Sequence, residues 1–285
     1  MSTVTILVSC RDRTGIVAAL SDLIYRNSGN ILDADQHSEA ESGLFLMRMQ
    51  WSLDTHVLDR DGLRQALHDL GRSFAFTFKL FIHDRPTRIA LWCSNTEHCV
   101  YDLLLRQRMG ELQDGVIACI LSNHDRWREV GEHFSLPVYH VPVDPADRQG
   151  AEQRQREIMA EEGIDLIVLA RYMQILSPEL VADWPERIIN IHHSFLPAFV
   201  GARPYHQAKE RGVKVIGATA HYVTQELDQG PIIEQDVTRV SHRDEVIDLV
   251  RKGRDLERQV LSRAVALHLQ HRVLTVENRT VVFDG

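Results

Sequence analysis

Between Ile89 and Ala170 the chain alternates short apolar runs with longer amphipathic stretches, and that alternation limits the possible folds more than any other feature. The runs are Ile89–Cys93, Val116–Leu121, Val138–His140 and Leu166–Ala170. An unbroken apolar run suits a strand buried on both faces, the environment of a parallel sheet covered by helices. Stretches near 97–109, 125–134 and 147–162 have the pattern of those helices. Val213–Val223 and Ile232–Val240 are strand-like with no helix between them, so they should close one edge antiparallel. His242 to Leu269 then reads as a long helix with a buried stripe of Val246, Leu249, Val250, Leu256, Val260, Leu261 and Val265. The expected architecture is a doubly wound, mostly parallel α/β sheet.

A different pattern precedes it. Residues 3–9 read as a buried strand and Arg11 to Gly15 as a polar turn. Ile16, Leu20, Leu23 and Ile24 follow at helical spacing, and Gly29-Asn30 ends the helix. Strands over 31–39 and 44–52 flank the turn Glu41-Ser42-Gly43; a helix over Leu58–Phe74 and a strand over 77–82 complete the unit. This β-α-β-β-α-β order is the ferredoxin-like arrangement. The polar segment His83-Asp84-Arg85-Pro86-Thr87 reads as a linker, which predicts domains at 1–84 and 85–285.

With 285 residues, 44% of them hydrophobic, the chain can bury two cores. Its net charge of -8 argues against a nucleic-acid or anionic-membrane binder. It shows no signal-peptide pattern and no apolar run of membrane-spanning length, so a cytoplasmic location is expected. Cys10, Cys93, Cys99 and Cys119 form no CxxC pair and read as reduced, buried thiols. The 15 histidines show no HxxxH or HExxH spacing, so no metal is expected.

The chemistry concentrates in Asn190-Ile191-His192-His193-Ser194-Phe195-Leu196-Pro197, followed by His221-Tyr222-Val223 and Leu227-Asp228-Gln229-Gly230-Pro231. Ile188-Ile189 reads as a short strand leading into Asn190, so the pleat should turn Asn190 and His192 to one face. They would lie at the strand's C-terminal end, where open α/β sheets bind ligands. Asn can donate to a carbonyl oxygen as it becomes an oxyanion, His exchanges a proton near neutral pH, and Asp orients or deprotonates a nucleophile. His193 should point to the opposite side of the strand and reads as structural or as a wall for water. Gly230-Pro231 would hold Asp228 in a rigid turn, and Gly201 to His206 reads as a loop closing over the site.

Asn190-Ile191-His192, Leu196-Pro197, Gly201, His221 and Asp228-x-Gly230, in that order, resemble the active-site pattern of the formyltransferases that use 10-formyltetrahydrofolate. The resemblance runs from Arg88 to about His271. It implies Asn190, His192 and Asp228 as catalytic residues, with His221 and Gly230 binding the substrate beside them. It also implies a folate pocket at Met173, Gln174, Ile175 and Leu176, just past the strand 166–170. The turn Ser94-Asn95-Thr96-Glu97-His98-Cys99 departs from the phosphate-binding members: it has no glycine, and Glu97 would repel a phosphate at a helix N-terminus. Asn123-His124-Asp125 resembles the deformylase subgroup and could line the acceptor side or merely cap a helix.

These features together point to water as acceptor: hydrolysis of 10-formyltetrahydrofolate to formate and tetrahydrofolate, balancing the one-carbon pool and supplying formate for purine synthesis. The folate is then the substrate and no cofactor is implied. Mechanistically, Asn190 and protonated His192 would stabilise the oxyanion, and Asp228 would position and deprotonate the water. Two other readings use the same residues: transfer to an amine, or an amino-acid sensor with a vestigial catalytic half.

The N-terminal unit, with Asp12-Arg13-Thr14-Gly15 at its first strand–helix turn, resembles an ACT domain. That implies an amino-acid ligand at Asp12, Arg13, Thr14 and Gly15, with glycine and methionine as effectors, and a homo-oligomer (dimer or tetramer). A purely dimerising role is the alternative.

Overall fold

The computed structural model describes residues 2–54, 56–196 and 204–284. Pro197 and Gly201 to Arg203 of the motifs above lie outside these residues. The chain divides into two compact units.

The first unit contains β1 (Thr3–Arg11), α1 (Ile16–Arg26), β2 (Asn30–Glu39), β3 (Leu44–Ser52), α2 (Arg60–Phe74) and β4 (Thr77–His83). They form the expected βαββαβ order with a sheet ordered β2-β3-β1-β4, and β1 is antiparallel to both its neighbours. Alternate residues of β1, namely Val4, Ile6 and Val8, pack on Ile16, Leu20 and Ile24 of α1 and on Leu63 and Leu67 of α2. The four-residue spacing on each helix puts its apolar side chains on one face. Helix α2 starts two residues later than the apolar pattern suggests, because the Asp59 side chain caps it by accepting from Gly62 N at 2.8 Å. His271–Leu274 and Val281–Gly285 group with this unit, so the C-terminal end departs from a simple division at 84/85.

The second unit begins with β5 (Thr87–Cys93), α3 (His98–Arg108), β6 (Gly115–Ser122), α4 (Arg128–Phe134), β7 (Val138–His140), α5 (Arg148–Glu161) and β8 (Leu166–Leu169). It continues through α6 (Pro178–Ala182), β9 (Ile188–His192), α7 (Pro204–Glu210), β10 (Val215–Tyr222), β11 (Ile232–Arg239) and α8 (Val246–Leu269). The chain ends in a two-stranded ribbon, β12 (Val273–Val276) and β13 (Arg279–Val282), which the sequence pattern had not marked. The seven-stranded sheet has the order β11-β10-β9-β8-β5-β6-β7. Strands β5 to β9 are mutually parallel, while β10 and β11 close one edge antiparallel, as expected. Strand β5 lies between β6 and β8, so the strand order reverses there and a crevice opens at the C-terminal ends.

Three local differences have physical causes. Helix α4 starts at Arg128 rather than 125, because Trp127 is buried and its indole N–H donates to Ser94 O at 2.8 Å. Helix α8 starts at Val246 rather than His242, because the Asp248 carboxylate reaches back to Glu245 N at 3.0 Å and closes a capping arrangement. Pro204–Glu210 is helical, where a loop was expected through His206; its leading proline suits a first helical turn. The four cysteines are free and buried. No helix among the described residues is long and apolar enough to cross a membrane.

Candidate active site

Strand β9 carries Asn190 and His192 on one face, and β10 pairs with it so that His221 lies directly opposite Asn190 and Thr219 opposite His192. Cross-strand partners on one face come within side-chain reach of each other. Asn190 Nδ2 accordingly donates to His221 Nε2 at 3.2 Å. His221 is 1% exposed, and its Nδ1 donates to Tyr222 O at 2.9 Å. That carbonyl holds a proton on Nδ1, and Nε2 is the acceptor for Asn190.

The loop between β10 and β11 returns Asp228 to the same place. One carboxylate oxygen is 3.2 Å from His192 Nδ1 and the other 3.6 Å from His221 Nε2. Asp228 is held in the left-handed region at φ 56°, a strained choice for a residue with a side chain. Gly230 makes the return possible: a Cβ there would sit 1.8 Å from Tyr222 O. Above all the hydrogen bond with His192 holds the Asp228 carboxyl well below the usual carboxylate range.

Thr219, buried opposite His192, ties down the chain after β9. Its hydroxyl donates to Ser194 O at 3.0 Å and accepts from Leu196 N at 3.1 Å and Gln235 Nε2 at 2.9 Å. This bend alters the expectation for His193. Strand β9 ends at His192, so the two imidazoles lie side by side, ring centroids 5.3 Å apart, instead of on opposite faces. Burial, then the nearby Arg171 charge, push the His193 imidazole down to about 4, so it is neutral at pH 7.

The segment after β8 lies beside this cluster, because Leu169 pairs with Asn190. Met173 N donates to Ser94 Oγ at 3.0 Å. The side chains of Met173 and Ile175 are each 60% exposed, an apolar surface without an internal partner. Leu176 packs against the core under the sheet, yet with Gln174 and Ile175 it also borders a narrow recess completed by Arg148, Gln155 and Tyr172. The four residues Met173 to Leu176 thus flank the Asn190 cluster rather than join it. Asn123 and His124 brace the first loop: Ser94 Oγ donates to Asn123 Oδ1 at 2.7 Å, and Asn95 Nδ2 to His124 Nε2 at 3.1 Å. Glu97 is ion-paired to Arg126, so its charge is partly offset.

A second polar cluster escaped the sequence reading. Glu257 of α8, 2% exposed, accepts from His98 Nε2 at 2.8 Å and from the Tyr205 hydroxyl at 3.0 Å, and Arg171 Nη1 lies 3.5 Å away. Burial pushes this carboxyl up, but the His98 hydrogen bond and the Arg171 charge outweigh it, and Glu257 stays below its ordinary range. The signal was available: Glu257 falls inside the apolar stripe of α8, next to Leu256 and a turn from Val260. His98, Cys99 and Glu257 bring ligand-type atoms within 4.8 Å of one another. Burial, then Glu257, raises the Cys99 thiol well above its usual range, which disfavours the thiolate a metal would need. In the first unit, Asp12, Arg13 and Thr14 are exposed, and Gly15 at φ 96° opens α1 without a side-chain cap.

The formyl transferase family model matches residues 87–265 and the ACT domain model residues 4–72. A formyltetrahydrofolate deformylase of Synechocystis is 52% identical over 99% of this chain and 98% of its own length. The crystal structure of a formyltetrahydrofolate deformylase from Pseudomonas syringae pv. tomato superposes with a TM-score of 0.94 at 48% identity, covering 100% of this chain and 95% of that one. A glycinamide ribonucleotide transformylase from Symbiobacterium toebii gives a TM-score of 0.66 at 31% identity, covering 72% of this chain and 98% of that one.

Proposed function

The chain belongs to the formyltetrahydrofolate deformylases, and from that membership we propose how its residues hydrolyse 10-formyltetrahydrofolate to formate and tetrahydrofolate. The observation that carries the reading is the convergence of Asn190, His192, His221 and Asp228 at the end of two paired strands. One Asn190 N–H is committed to His221, and the other is free in geometry to hold the formyl oxygen as it becomes an oxyanion. Asp228, held as a weakly basic carboxylate, is a poor destination for a proton. The water proton therefore goes to His192 Nε2, while Asp228 holds Nδ1–H and stabilises the imidazolium. This moves the base from Asp228, where the sequence reading put it, to His192.

Attack of water on the formyl carbon gives the tetrahedral intermediate, and its collapse breaks the bond to N10. N10 takes the proton from His192, and the formic acid loses its own proton to solvent as formate. Side chains supply every step, so the reading needs no cofactor beyond the folate substrate. Met173 and Ile175 offer exposed apolar surface to the pteridine, with Leu176 beside them and the Gln174 amide available to its polar edge. Purified protein with 10-formyltetrahydrofolate and no amine should release formate and tetrahydrofolate in equal amounts; no release without an amine would sink the hydrolase reading.

The ACT unit is read as regulatory. Gly15 leaves the amides at the start of α1 accessible to a ligand carboxylate, with Asp12, Arg13 and Thr14 around it. Glycine and methionine, tied to one-carbon supply, are the proposed effectors. Strand β2 is an open sheet edge with Ile31 and Leu32 exposed, which favours pairing with a second copy and hence a homo-oligomer in the cytoplasm. Titrating amino acids against formate release, for wild type and Gly15→Val, tests this. Wild-type indifference to every amino acid at millimolar concentration would leave the unit an assembly element only.

A further inference from the structure

Beside the catalytic cluster lies a chamber of about 290 Å³ bordered by Thr96, His98, Arg171, His193, Tyr205 and Glu257, with Arg254 of α8 a second cation in its lining. His193 is the shared wall, since its ring lies 5.3 Å from that of His192. Arg171 stands two residues beyond Leu169, the register partner of Asn190. The same short segment therefore borders two recesses: Gln174 to Leu176 line a narrow one, and Arg171 lines the other.

A water molecule occupies about 30 Å³ of liquid. Size alone would admit a much larger nucleophile to this chamber, so something other than size must reserve the reaction for water. The buried Glu257 carboxylate would, by itself, attract a protonated amine. Arg171 stands against it with Nη1 at 3.5 Å. The arginine is held there at a cost. Its Nε and Nη1 are buried without a hydrogen-bond partner, and its backbone sits at φ 64°, a conformation that suits glycine. Helix α8 also carries Gly253 in its interior, where a Cβ would lie 1.9 Å from the Tyr205 hydroxyl that reaches Glu257. Strain, unsatisfied donors and a helical glycine all work against stability, so the network serves something else.

Resting on the hydrolase reading, we propose that Arg171 is the specificity-determining residue that restricts the formyl acceptor to water. Its guanidinium, against Glu257, masks that carboxylate and with Arg254 keeps the chamber beside His193 positive, which shuts out the protonated amines that prevail at neutral pH and leaves uncharged water free to approach. Without it, a protonated amine would enter, give one proton to solvent and, as the free base, form the bond to the formyl carbon; the bond to N10 would break as the amine's next proton passes to N10. The products would be a formamide and tetrahydrofolate.

The test uses the full-length protein, 10-formyltetrahydrofolate and glycinamide as the small primary amine, with formate, tetrahydrofolate and formylglycinamide measured by mass spectrometry. Wild type and Arg171→Lys should give formate equal to tetrahydrofolate and no formylglycinamide above the uncatalysed background. Arg171→Gly relieves the positive φ and should fold; it should hydrolyse and also make formylglycinamide at least tenfold above wild type, saturably in glycinamide. Arg171→Gln, which keeps the bulk and removes the charge, carries the same expectation should the glycine variant unfold. A folded neutral variant that still releases formate and tetrahydrofolate in equal amounts at every glycinamide concentration overturns the proposal. So does one that loses hydrolysis altogether, because Arg171 would then serve the hydrolysis itself. A wild type that releases no formate breaks the hydrolase reading instead, so the two failures are distinguishable.

Discussion

Asp228→Asn isolates one charge with little change of shape. The carboxylate bridges His192 Nδ1 at 3.2 Å and His221 Nε2 at 3.6 Å. Asparagine tolerates the left-handed backbone at this position better than most residues, so the loop should hold its course. The amide keeps one acceptor but must turn its NH₂ toward one of the two imidazoles, and it brings no charge to balance an imidazolium. A unit charge at 3.2 Å is worth about 5 kcal/mol at an effective dielectric near 20. Partial exposure of Asp228 discounts that figure, so we expect a barrier increase of roughly 3–5 kcal/mol, or about 10²–10⁴ in turnover. Asp228 is not among the residues that line the recess at Gln174–Leu176, so folate affinity should stay within about tenfold, ~1.4 kcal/mol. Formate release measured under saturating 10-formyltetrahydrofolate, with folate binding followed separately, checks both halves. Turnover above a few per cent of wild type would refute the role given to Asp228. A much larger loss of folate affinity would show that the charge serves binding instead.

Gly230→Ala should lower both stability and turnover, because its Cβ would collide with a backbone oxygen and displace the Asp228 loop. We expect a cost of about 1–3 kcal/mol or more, read as a lower melting temperature together with at least a tenfold slower formate release; an unchanged melt and rate would contradict the geometry. The His193 imidazole, lowered from 6.5 to about 4, takes up its proton first in the unfolded chain. Its contribution is therefore neutral above pH 6.5 and costs stability as pH falls toward 4, by about 2–3 kcal/mol at pH 4.5. Urea unfolding of wild type and His193→Gln at pH 7 and 4.5 should show the variant losing less, and parallel losses would argue against a buried neutral imidazole.

What the sequence made legible follows the range over which each signal acts. Strand alternation from Ile89 to Ala170 and the period of Ile16, Leu20 and Ile24 are repeated many times, so the sheet and both layers could be read from them. Asn190 and His192 were readable as a pair because the strand pleat relates them directly, and their partner Asp228 because it shares a motif with Gly230. Their contact with His221 depends on the β9–β10 register, which only the folded sheet specifies. The His193 expectation failed for a similar reason: alternation holds while a strand continues, and here Thr219 pins the chain into a bend one residue too early. The helical stretch at Pro204–Glu210 carried too few apolar positions to display a period.

Arg171 and Glu257 lay beyond sequence reading for a deeper reason. Each looks ordinary alone, one a polar residue ending a strand and the other a charge on a long helix. Their meaning comes from a meeting between elements 86 positions apart, at 3.5 Å and with the Glu257 carboxylate out of water. A charge inside an apolar stripe does announce that a partner must exist, since an ion buried alone would be neutralised or expelled. It does not announce which partner. His98, Tyr205 and Arg171 all answer to Glu257, yet only Arg171 brings a permanent charge with unsatisfied donors and a strained backbone. The hydrolase and the transferase of Symbiobacterium toebii share a fold over 72% of this chain, so the choice of acceptor must reside in side chains placed on a common frame. In this chain, Arg171 is the side chain we propose for that role.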